Sequence, residues 1–239
     1  MMAFPEDFLL DRLIYRDGLM LVINKPAGLA VHAGPSARKT GGGDNLENYF
    51  DALRFGLPRP PALAHRLDRD TSGCLVLGRH PKALRKLGKL FSEGKIEKTY
   101  WAVCKGAPEK PSGRIEAPLK KQSRGNGWRV EIADDGKPAA TTYRTLAQKD
   151  GLSFIEAKPK TGRTHQIRVH LASIGSPIVG DPQYGGLNDT ERSHPMMLHA
   201  RRIIIPISKN KDPIVVEAEP PDEMAEVLVN MGSLPVATP

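Results

Sequence analysis

Leu19–Asn24 is an apolar run closed by the turn signal Lys25-Pro26-Ala27-Gly28, and it predicts a strand followed by a reversal. A second apolar run, Cys74-Leu75-Val76-Leu77, predicts a buried strand. Between them, Asp44 is placed to cap a helix over Asn45–Phe55, and Pro58 to Pro61 break the chain. Pro81 opens a helix over Lys82–Phe91, with Gly94 just past its end. Its period puts Leu84, Leu87, Leu90 and Phe91 on one face and Arg85, Lys86 and Lys89 on the other. Trp128–Ile132 and Thr141–Leu146 read as strands joined through the turn signal Asp134-Asp135-Gly136. Ile167, Leu171 and Ile174 recur at helical spacing after a plausible Thr164 cap and before Gly175. Gly34–Gly43 reads as a loop, and its Lys39-Thr40 follows the wrong order for a phosphate-binding loop. Residues from Gly232 on read as a loose tail.

Composition narrows the class. A chain of 239 residues buries a substantial core, as one large domain or two small ones. Lys+Arg 35 against Asp+Glu 27 gives a net charge of +8, which favours a polyanionic partner such as nucleic acid. Besides the Arg85/Lys86/Lys89 face, the segment holding Arg114, Lys120, Lys121, Arg124 and Arg129 is a candidate for phosphate contact. The two cysteines, Cys74 and Cys104, sit far apart in apolar surroundings and suggest reduced, buried thiols of a cytoplasmic protein. Glu6, Asp7, Asp11 and Arg12 interrupt the N-terminal apolar residues, so the segment is neither a signal nor a transit peptide. No uncharged apolar run approaches the roughly 18 residues of a membrane span.

The chemistry concentrates in His65-Arg66-Leu67-Asp68-Arg69-Asp70-Thr71-Ser72-Gly73, just before the buried strand. A carboxylate flanked by arginines at a strand mouth is kept ionised and can act as nucleophile or base, although ion-pair clusters of this kind are also often structural. A phosphatase of the Asp-x-Asp-x-Thr type fails by one residue, because Thr71 directly follows Asp70. A glycosidase needs its carboxyls on opposite sides of a bond, about 5–9.5 Å apart, which one tight segment serves poorly. His165, His170, His194 and His199, with Asp181 between, invite a metal. The first pair and the last pair, each five positions apart, lie about 140° apart on a helix and on opposite faces of a strand. We therefore expect hydrogen-bonding or RNA-facing histidines and no metal.

The order of residues in His65–Gly73 resembles the signature of the RluA-type pseudouridine synthases. Leu21–His32 resembles the N-terminal strand and turn of that family, Glu97–Ala102 its tyrosine motif, Gly162–Leu171 its arginine motif and Pro195–Ala200 its leucine motif. The resemblance implies an α+β fold, with a long mixed, mainly antiparallel sheet flanked by helices around a central catalytic cleft. It implies one catalytic domain over residues 1–231, without the small RNA-binding domain that many relatives place first, and a tail over 232–239.

It also implies isomerisation of a uridine in structured RNA, tRNA or rRNA, by a monomer. The base leaves C1′ nitrogen-first, rotates and rejoins through C5; no second substrate takes part, and no cofactor is needed. Asp68 is then the essential carboxylate, attacking sugar or base or removing a proton. Arg168 is the cation that keeps it ionised in a dry cleft, and Tyr100 the ring that holds the loose base and takes part in proton transfer. His65 and Arg66 are candidates for filling the gap of the flipped uridine. Leu198 is a pocket candidate, though leucine is more often core. Arg163, Arg85, Lys86 and Lys89 are candidate RNA contacts. A non-catalytic RNA-binding domain is the rival reading, and an altered Asp68, Tyr100 or Arg168 would favour it; all three are present.

Overall fold

The structure is a computed structural model that describes residues 4–33, 43–125, 127–186, 195–208 and 210–235. The chain divides into two compact units, Met1–Glu97 with Ala200–Glu219, and Lys98–His199 with Pro220–Pro239. Both mix strands with helices, so the expected α+β class holds. The Lys39-Thr40 segment and His194 lie outside the described residues.

In the first unit, β1 (Leu13–Arg16), β2 (Met20–Lys25), β4 (Ser72–Gly78) and β11 (Leu198–Ile205) lie side by side in that order. The short β3 (Ala62–Leu63) adds to β4, and β12 (Ile214–Glu217) to β11. β1–β2, β2–β4 and β11–β12 are antiparallel. The two predicted strands are therefore neighbours, with Ile23 opposite Leu75 and Lys25 opposite Gly73. β4 is buried along its whole length, which is why its sequence is a continuous apolar run rather than an alternation. Gly73 is required there. Its φ is +106°, and a Cβ would lie 2.4 Å from the carbonyl oxygen of Ala200.

The helix α1 (Pro81–Ser92) forms as its sequence predicts, with Pro81 in the first turn and Gly94 at φ +66° beyond its end. The imidazole of His80 caps it by accepting from the Ala83 amide. Leu87 is buried, Leu84, Leu90 and Phe91 are half-buried, and Arg85, Lys86 and Lys89 are exposed. The segment after Asp44 is a 3-10 helix, Leu46–Leu53, capped by Asn45 and not by Asp44. Asn45 is extended and its side-chain oxygen accepts from the Glu47 amide, whereas the Asp44 carboxylate takes the Tyr49 hydroxyl and the Asn48 amide.

In the second unit the strand order is β5 (Glu97–Lys105), β10 (Leu152–Pro159), β9 (Ala140–Lys149), β6 (Ser112–Glu116), and the pairings are antiparallel. A separate hairpin joins β7 (Leu119–Arg124) to β8 (Gly127–Ile132). The expected pairing across Asp134-Asp135-Gly136 is thus corrected. The turn exists, but β8 pairs with β7, and β9 lies between β10 and β6. The turn folds back onto the root of β7, where Lys137 and Leu119 exchange backbone hydrogen bonds, and only then does the chain enter β9. Helix α2 (Gln166–Ser173) and helix α3 (Asp222–Asn230) complete the unit; Met224 and Leu228 of α3 join the core of Val103, Phe154, Ile155 and Leu171.

α2 does not begin at a Thr164 cap. His165 occupies the cap position at φ +52° and makes no capping bond. Gln166, the first helical residue, instead ties down the turn that leads into the helix. Its carbonyl oxygen accepts the Arg163 amide and the Thr161 hydroxyl, and its amide donates to the Ala140 carbonyl and Thr141.

Candidate active site

Asp68 lies in the loop that leads into β4, half-buried. The loop is turned by a backbone bond from the Thr71 amide to the Asp68 carbonyl. Beneath it sits Lys25, the last residue of β2, with 0% of its surface exposed. The Lys25 ammonium donates to the carbonyls of Pro26 at 2.6 Å and Arg69 at 2.8 Å. Arg69 in turn donates to the Gly28 carbonyl and lies 3.4 Å from the Asp70 carboxylate. Burial lowers the Lys25 pKa to about 7, against the fields of Asp70 and Asp68, which favour its charged form. The reactive loop therefore rests on a buried cation that composition and spacing did not point to.

Of the two residues expected to fill a flipped-out gap, Arg66 is exposed. His65 is built into the fold: its Nε2 accepts the Val76 amide at 3.0 Å and its ring stacks on Phe91 at 4.5 Å. Asp68, His65, Arg66, Arg85, Lys86 and Lys89 all belong to the first unit, and Tyr100, Arg163, Arg168 and Leu198 to the second.

Tyr100 stands on β5 opposite Ala157 of β10, half-buried against the core of its unit. Leu198 and its neighbours Met196 and Met197 are core residues. Arg163 is exposed, and its Nε donates to the Pro138 carbonyl. Arg168 is 4% exposed and makes a two-pronged pair with Asp181, Nε to Oδ2 at 2.7 Å and a terminal nitrogen to Oδ1 at 2.8 Å. The alternative of a surface arginine is thereby removed. Burial alone would raise the Asp181 pKa. The Arg168 guanidinium and the amides of Gln183 and Tyr184 outweigh it and hold the carboxyl below its ordinary value.

Tyr184 lies beneath Arg168, whose guanidinium carbon is 5.1 Å from the ring centre. The Tyr184 oxygen accepts the Val130 amide and lies 3.0 Å from His165 Nδ1. His170 is buried between Thr141 and the Ala117 carbonyl, and burial lowers its pKa. His165 and His170 are hydrogen-bonded in the fold, as their spacing led us to expect. Cys74 and Cys104 are free buried thiols, each raised in pKa by burial, Cys74 to about 12.

Residues 19–173, which contain the Asp68 loop, the Tyr100 strand and the Arg168 helix, match the RNA pseudouridylate synthase family. The chain belongs to that family. It is 46% identical over 221 residues to an uncharacterized RNA pseudouridine synthase of Zymomonas mobilis, covering 92% of this chain and 98% of the relative. It is 34% identical to the ribosomal large subunit pseudouridine synthase D of Borreliella burgdorferi, covering 83% of this chain but 62% of that protein. Among solved structures, human RNA pseudouridylate synthase domain containing 4 superposes with a TM-score of 0.79 at 25% identity, over 95% of each chain. For a pseudouridylate synthase of this kind the residues that motif reading passed over are supporting ones. Lys25 lies in a turn signal and in the family-like stretch Leu21–His32 with nothing to mark it as a supporting residue, Asp181 stands out only as a possible metal ligand, and Tyr184 carries no signal. Among the described residues no helix is long and apolar enough to cross a membrane.

Proposed function

We propose that this chain isomerises a uridine of structured RNA to pseudouridine in an Asp68-dependent reaction that draws the uridine out of its stack. The observation that carries the proposal is the Asp68 loop: an arginine-flanked carboxylate on a loop fixed from below by the buried Lys25. A half-dry carboxylate in such a loop is poised to attack sugar or base, or to take a proton. Tyr100 supplies the ring that holds the detached base, Arg168 the cation, and Arg66 the side chain that enters the gap. His65, bonded to the Val76 amide of β4, supports it from the fold. Leu198 contributes through the core of its own unit. The names of relatives that modify the large ribosomal subunit favour rRNA over tRNA. We take the protein to act as a monomer in the cytoplasm, a compartment in which its two thiols stay reduced.

The test is Asp68→Asn, which keeps the shape and removes the charge. The purified variant should form no pseudouridine, while melting normally and binding RNA as the parent does. Asp70→Asn, which alters a neighbour held by Arg69, should retain measurable turnover. Isomerisation by Asp68→Asn would sink the proposal. Mapping pseudouridine in total RNA from cells with and without the gene identifies the target.

A further inference from the structure

We propose that the tip of the β7–β8 hairpin is a stacking site for one unpaired base of the RNA, with the Trp128 indole as platform and Lys121 as the clamp on the adjoining phosphate. The proposal rests on the RNA reading above and adds a second point of contact to it. The register of the hairpin sets Lys121 opposite Val130 and Ser123 opposite Trp128, so Lys121 and Trp128 are diagonal neighbours on one face. The root of that face is core: Leu119 and Val130 pack with Ala139, Val169 and Tyr184. Trp128, nearer the tip, is 37% exposed.

An exposed indole alone means little, but this one is held flat. It stacks on His165 at 5.0 Å with 28° between the rings. His165 is fixed by its left-handed backbone and by the Tyr184 oxygen, which also takes the Val130 amide. The platform is therefore tied at both ends to the same tyrosine. The second group on the ring is movable: the Lys121 ammonium lies 4.0 Å from its centre. A lysine ammonium is a strongly hydrated charge on a flexible stem, and its contact with an indole face at an exposed site is weak.

The charge of the hairpin selects the occupant. It carries Lys120, Lys121, Arg124 and Arg129 against Glu131. Lys120 is paired with Asp135 and Arg124 with Glu131, whereas Lys121 and Arg129 lie over the rings of Trp128 and Tyr184. Aromatic faces interleaved with cations suit nucleotides, because each nucleotide brings a π-face and a phosphate together. A duplex hides its base faces, so the site takes a base from a loop or bulge. On binding, the base covers the indole and the ammonium swings to the phosphate.

The chain has two tryptophans, and Trp101 packs edge-on against Phe154 in the core. A Trp101→Phe variant makes Trp128 the reporter; if that variant folds poorly, the difference between the parent and Trp128→Phe gives the same signal. An oligouridylate should quench Trp128 fluorescence, and a blunt RNA duplex of equal length should not. Trp128→Ala should weaken oligouridylate binding roughly tenfold without changing duplex binding, and Trp128→Tyr should restore most of it. Lys121→Gln should reduce the salt dependence of oligouridylate binding by about 0.7 in log–log slope. Equal quenching by the duplex, or equal loss on both RNAs in Trp128→Ala, would overturn the stacking site. None of these readouts needs turnover. Quenching without pseudouridine formation would fault the proposed reaction and keep the site; pseudouridine formation without quenching would do the reverse.

Discussion

Lys25 shows how one buried charge can set both the placement and the pH behaviour of a reactive loop. Its ammonium bonds the Arg69 carbonyl of that loop and the Pro26 carbonyl of the turn after β2, and burial lowers its pKa from 10.5 to about 7. Between those values the unfolded chain binds a proton at this position that the folded chain does not. Stability from this group therefore rises with pH from about 7 upward. The melting temperature of the parent should gain on that of Lys25→Met between pH 7 and 8.5, before thiols and tyrosines ionise. Lys25→Met should also lower kcat by about 10²-fold, since a loop displaced by an ångström misplaces Asp68. Equal pH dependence of melting in the two proteins would refute the first expectation, and parental turnover the second. Arg168 is the other decisive side chain. Arg168→Ala leaves Asp181 charged, 0% exposed and without its guanidinium, a change that typically costs about 3–5 kcal/mol. Thermal melting should show that loss, and Arg168→Lys should recover part of it, because a lysine keeps the charge but not the two-pronged geometry. The segments that carry Asp68, Tyr100 and Arg168 were legible as family motifs because their order along the chain is distinctive. Asp181 and Lys25 were not, because a buried partner is defined by burial, and a lysine in a turn signal looks like any surface lysine.

At the scale of elements, legibility followed the strength of the pattern. β2, β4 and α1 were readable because an uninterrupted apolar run or a clean amphipathic period leaves one choice. The β8-to-β9 connection was misread because a turn signal states only that the chain reverses, not which strand it returns to; the contest was decided by Leu119 and Lys137 at the root of β7. The start of α2 was misread because His165, in a left-handed backbone, takes the cap position in place of Thr164, and Gln166 ties down the turn before the helix at Arg163. α1 itself supplies a test of RNA contact. Arg85 and Lys86 are exposed, and Lys89 is exposed with Glu93 at 3.7 Å, so the face is free to meet phosphates. Neutralising the three together should raise KM more than it lowers kcat. It should also flatten the slope of log affinity against log salt by up to about 2, at about 0.7 per contact to single-stranded RNA. An unchanged slope would make the face ordinary solvated surface.

For the whole molecule, composition bounded the class and the family motifs gave the α+β fold, but neither revealed that the chain is interleaved. The first unit is built from Met1–Glu97 and then, more than a hundred residues later, from Ala200–Glu219. Its strand β4 is buried along its length, and the neighbour that covers it next to Gly73 is β11, which contains Ala200. A ribosome that has released the first hundred residues has thus delivered Asp68 and its loop, but not the strand that shields β4. Until β11 emerges, an apolar strand edge stays open to pairing with other chains. The nascent protein should therefore depend on holding factors until synthesis is nearly complete. A fragment ending before Ala200 should accumulate as aggregate, which sedimentation of the translated fragment against the full chain would reveal. Pulse-labelled full-length chains should gain protease resistance only after release. Selection on this sequence then acts on the order in which its parts are made as well as on the site they finally form.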